Sequence, residues 1–139
     1  MLTEFDKAFK TLPTNKWAVE QLIILDWYDG PRSGFCKMTR PKVRFYFEVI
    51  ADCYLQDDTD DHLFQLSDCP TEKLDAVIEI FAKVGQPQKP SWIPSGNMDL
   101  EDEKQIETII SELEASSIIV QSHNMTEFSC CWLSLVDIR

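Results

Sequence analysis

The chain has 139 residues and a mass of 16.1 kDa, with 44% hydrophobic, 27% charged and 11% aromatic residues; this size and make-up fit one globular domain with its own core and exclude an intrinsically disordered chain. Lysine and arginine number 13 against 24 acids, a formal net charge of -11, and a surface of that sign repels phosphate backbones and argues against nucleic-acid partners. No apolar run approaches the roughly 18 residues of a membrane span, and acids at Glu4 and Asp6 stand where a secretory signal would be positive, so the expected location is cytoplasmic, with no membrane partner.

The first helix is expected over residues 3–12, where Thr3 and Asp6 are spaced as a capping box and Leu2, Phe5, Phe9 and Leu12 share one side. Pro13 ends it. A strand follows over residues 17–28, then a turn at Asp29-Gly30-Pro31-Arg32-Ser33-Gly34, in which the two glycines supply unusual backbone angles. A second strand over residues 35–38 and a third over residues 42–51 complete a meander, with Arg40-Pro41 at the second turn. In the third strand Val43, Phe45, Phe47 and Val49 alternate with Arg44, Tyr46 and Glu48, which assigns the first set to the core.

Leu63 to Leu66 reads as a short strand, and a helix from Pro70 to just before Gly85 carries Leu74, Val77, Ile78, Phe81 and Ala82 on one stripe, with Gly85 as its cap. Residues 86–97, with Pro87, Pro90 and Pro94 around Trp92, read as an extended connection. The last helix spans residues 99–115, and strands over residues 118–121 and 128–136 form a terminal hairpin. The architecture is a single α+β domain over residues 1–139: a mainly antiparallel sheet, built from an N-terminal meander and a C-terminal hairpin, with two or three helices on one face.

Charge is unevenly placed. Residues 1–47 hold 8 bases and 5 acids, net +3, whereas residues 48–139 hold 5 bases and 19 acids, net -14. Asp57, Asp58, Asp60 and Asp61 form one acidic concentration, and the run from Asp99 to Glu114 forms another. Such runs ordinarily make a solvated face; gathered on one side, they attract a basic partner. A calcium loop opening at Asp57 fails, because His62 stands where the loop needs glycine and Asp68 where it needs a bidentate glutamate.

His62, beside Asp60 and Asp61 and upstream of Cys69, has the composition of a base, its orienting carboxylates and a nucleophile. Cys69 also precedes Pro70 at a helix start, where a thiol's pKa falls, although an ordinary helix entry explains the same position. Cys36, Cys53, Cys69, Cys130 and Cys131 show no CxxC spacing and are expected as reduced, mostly buried thiols. Adjacent Cys130 and Cys131 point to opposite faces of a strand, which argues against zinc with His123. No P-loop, dinucleotide-binding, HExxH or GxSxG motif is present, and no cofactor is expected. The basic group Arg32, Lys37, Arg40, Lys42 and Arg44 reads as strand charges that oppose edge pairing.

The segment Asp26-Trp27-Tyr28-Asp29-Gly30-Pro31, with Gly34 and Phe45-Tyr46-Phe47, resembles a hairpin in small uncharacterised bacterial proteins with a Tyr-Asp-Gly-Pro turn. Small acidic α+β proteins of that kind include toxin-neutralising immunity proteins. The resemblance implies a binding module and carries over no functional residue.

The leading expectation is therefore a non-catalytic protein-binding module, such as an immunity-type inhibitor of a basic toxin. Asp57, Asp58, Asp60 and Asp61 would steer the partner, and Trp92 would supply apolar contact. The competing expectation is a small enzyme or small-molecule binder with a pocket beside the meander, using Tyr28, Asp29, Arg32, His62 and Cys69. A homodimeric structural module is the third.

Overall fold

A computed structural model describes residues 3–12, 16–27, 31–54, 60–83, 99–122 and 133–136. Helix α1 (Glu4–Thr11) precedes four strands, β1 (Ala18–Trp27), β2 (Pro31–Arg40), β3 (Arg44–Tyr54) and β4 (Asp60–Asp68). Helices α2 (Thr71–Ala82) and α3 (Leu100–Ser111) follow, and β5 (Ala115–Ser122) and β6 (Leu133–Val136) close the described chain. The strands form one six-stranded sheet in sequence order, every described neighbour antiparallel. This is the expected α+β class, with its meander and C-terminal hairpin.

The helices cover both sheet faces. Phe5 and Phe9 of α1 join Trp17, Leu22, Ile24, Phe45, Phe47, Phe64, Leu66 and Val120 in one core. On the opposite face, Leu74, Val77, Ile80 and Phe81 of α2 and Ile106 and Ile109 of α3 pack on Ile23, Phe35, Tyr46 and Cys69. Two helices thus share one face as expected, and α1 takes the other. Its seat is aromatic: Phe9 meets Trp17 edge-on at 5.1 Å and Phe45 at 5.8 Å, and the Trp17 indole N–H donates to the Leu12 carbonyl at 2.9 Å. The capping box forms as the sequence predicts, with the Thr3 hydroxyl accepting from Asp6 N–H and the Asp6 carboxylate accepting from Thr3 N–H.

Several boundaries differ from expectation; β4, for one, runs over Asp60–Asp68 where the sequence reads a strand from Leu63 to Leu66. Strand β2 begins at Pro31, which places Gly34 inside the sheet rather than in the turn. The reason for glycine there is space: a Cβ would stand 2.0 Å from the Ile23 carbonyl oxygen and 3.0 Å from the Phe47 ring. Helix α3 ends at Ser111, and β5 already begins at Ala115. The early start of β5 is fixed by Ser116, whose hydroxyl donates to the Leu66 carbonyl at 2.8 Å while its own carbonyl accepts from the Gln65 side chain. Helix α2 begins after Pro70, whose carbonyl accepts from Lys73 and Leu74, and Lys83 closes it. The expected Gly85 cap and the connection over residues 86–97 lie outside the described residues.

Two ion pairs fix the direction of the helical layer. Lys73 near the start of α2 pairs with Glu112 just past α3, and Lys83 just past α2 reaches Asp102 in the first turn of α3 at 3.5 Å. The two helices therefore run antiparallel. No helix among the described residues is long and apolar enough to cross a membrane.

Candidate functional site

The outer surface of α2 and α3 is acidic. Along α2, Glu72, Asp75 and Glu79 recur at i, i+3 and i+7 and are all exposed, the polar complement of the buried Leu74-Val77-Phe81 stripe. Around α3 the exposed acids are Asp99, Glu101, Glu103, Glu107, Glu112 and Glu114. Several have a structural reason: Asp99 caps α3 by accepting from Asp102 N–H at 2.8 Å, and Glu101, Asp102 and Glu103 lie in the first turn, where the helix dipole favours them. Among the described residues nothing gives Asp75, Glu79, Glu107 and Glu114 such a reason. Among the described residues the bases of this layer are Lys73, Lys83 and Lys104, of which Lys73 and Lys83 are held by Glu112 and Asp102.

A second feature lies at the end of the sheet where β3 starts and β4 stops. There a cleft of about 410 Å³ is lined by Lys42 and Arg44, by Asp68 and Cys69, by Pro70 and Thr71 at the start of α2, and by Glu4 and Phe5 of α1. Asp68 and Arg44 are far apart in sequence, but strand pairing sets Phe45 opposite Asp68, and the Cys69 N–H donates to the Arg44 carbonyl at 3.0 Å. Burial pushes the Asp68 carboxyl up, and a hydrogen bond from the Cys69 backbone only partly opposes this. Burial, reinforced by the Asp68 charge, pushes the Cys69 thiol up to about 11.

These positions decide among the expected residues. His62 stands opposite Asp52 on β4 and Cys69 lies just past the other end of that strand. Seven steps along an extended chain separate them, about 23 Å at the rise of a strand. They form no base–nucleophile pair, and the helix start does not activate a thiol that burial holds protonated. Arg32 is half-buried near the start of β2, again remote from Cys69. Tyr28 and Asp29 lie outside the described residues, as do Asp57, Asp58 and Trp92. Asp60 and Asp61 open β4 opposite Tyr54 and Cys53. Among the described residues no group of three His, Cys, Asp or Glu could hold a metal ion.

Sequence reasoning picked out the Asp99–Glu114 run but missed the acidic stripe of α2, whose period was legible beside its apolar stripe. The cleft had no local signal, because strand pairing alone assembles it. No protein family, curated protein or solved structure matches this chain.

Proposed function

We propose that the protein is a non-catalytic binding module that engages a basic protein partner through the outer surface of α2 and α3, as an immunity-type inhibitor covering the cationic cleft of a toxin would. The observation that carries this reading is the set of outward carboxylates without structural duty, Asp75, Glu79, Glu107 and Glu114, on a layer whose lysines are mostly engaged with other acids. Such a surface raises the encounter rate with a cationic partner and disfavours anionic ones. Asp57, Asp58, Asp60 and Asp61 would extend the negative field, and Trp92 would add the apolar anchor that charge alone does not supply.

The test is affinity capture from native cell extract with the wild-type chain, a variant carrying D75N, E79Q, E107Q and E114Q, and a control carrying K42A. The reading expects a basic protein on the wild type and the control, eluted by salt and absent from the neutralised variant. Equal retention by the neutralised variant would overturn it.

A further inference from the structure

The cleft at the sheet's end brings together charges of both signs that do not neutralise one another. Lys42 and Arg44 line it from the start of β3 and Asp68 from the end of β4. The ion pairs described elsewhere in the molecule, Lys7–Glu4, Lys37–Glu20, Lys73–Glu112 and Lys83–Asp102, involve none of the three. They are nevertheless neighbours, since Asp68 faces Phe45 across the β3–β4 ladder and the Cys69 N–H bonds the Arg44 carbonyl.

A ligand that is only an anion meets the Asp68 carboxylate there, and one that is only a cation meets Lys42 and Arg44. A molecule carrying both charges on substituents of one carbon satisfies each wall. The remaining lining includes Glu4, whose carboxylate is taken up by Lys7 at 3.7 Å, and Phe5, Ala8 and Val43, of which Phe5 and Val43 belong to the aromatic core behind and present only their edges to the cleft. The volume of about 410 Å³ falls toward the small end of ligand sites, which run from about 300 to 1,000 Å³.

We propose that this cleft binds a free apolar α-amino acid, its carboxylate held by Lys42 and Arg44, its ammonium by Asp68, and its side chain against Phe5 and Val43. The raised pKa of Asp68 is consistent with this, because a carboxylate that burial disfavours gains from an incoming ammonium. The proposal is independent of the acidic helical surface and goes beyond partner binding.

The experiment is a titration of the ¹⁵N-labelled full chain with L-leucine, L-methionine and L-phenylalanine, followed by amide chemical shifts. At least one of the three should shift the Arg44, Cys69 and Thr71 amides saturably. For that amino acid, the N-acetyl derivative, which lacks the ammonium, and the amide derivative, which lacks the carboxylate, should each bind at least about tenfold more weakly. D68N and R44Q should each weaken binding to a similar extent while leaving the amides of β5 in place, which shows that the variants fold. If none of the three shifts these amides at millimolar concentration, or if N-acetylation or D68N leaves the affinity unchanged, the assignment is wrong.

Discussion

Gly34 and Cys69 show how single positions carry structural rather than chemical demands. At Gly34 the β1 backbone comes so close that a methyl group would lie 2.0 Å from the Ile23 oxygen, and the obstacle is backbone within a paired strand, which cannot swing aside. Gly34→Ala should therefore destabilise by about 2–3 kcal/mol, in the range of overpacked interiors, measured by urea unfolding; an unchanged midpoint would contradict the close approach. Cys69 is buried, and its thiol titrates at about 11 instead of 9.0. The folded state holds this proton more tightly than the unfolded chain, so the stability it contributes is fully present below pH 9.0 and is lost as pH rises through about 11. Cys36, fully buried, is shifted in the same direction. Native protein at neutral pH should resist a thiol reagent at both positions and react there only on unfolding, and stability should fall on the alkaline side. Rapid native labelling of Cys69 would contradict its burial and favour the enzymatic reading.

Among the elements, α1 depends most on a few contacts, because eight residues form a marginal helix by themselves. Phe9 is 1% exposed and meets three aromatic rings, Phe5, Trp17 and Phe45. Phe9→Ala should cost about 3–5 kcal/mol and should release α1 before the sheet, seen by hydrogen exchange as early loss of protection over residues 4–11; uniform loss across the sheet would show α1 is no separate unit. The period of Phe5 and Phe9, the alternation of β3 and the stripe of α2 made these elements legible in the sequence, since each buries a regular set of side chains. The ends of β2 and β5 were not legible, because Gly34 and Ser116 owe their places to Ile23 and Leu66, strands away in the fold. Nor was the division of helices between the two faces, although a buried Tyr46 on the polar side of β3 reflects it. The helical acidic surface was half legible, as a run in α3, and the cleft was not legible at all.

At the scale of the molecule, charge is segregated. Six of the eight bases of the first 47 positions lie on or beside the meander and two, Lys7 and Lys10, on α1, while acids dominate the outer surface of α2 and α3. This arrangement matters for association more than for stability, since exposed pairs such as Lys73–Glu112 contribute about 1 kcal/mol or less, whereas a one-signed surface changes encounter rates and makes them sensitive to salt. The most direct measurement is the association rate of the captured partner as a function of ionic strength, for the wild type and for the D75N, E79Q, E107Q and E114Q variant. The rate should fall steeply with salt for the wild type, and at low salt the variant should associate about tenfold more slowly with a flatter salt dependence. Identical rates and identical slopes for the two proteins would show that the partner docks elsewhere.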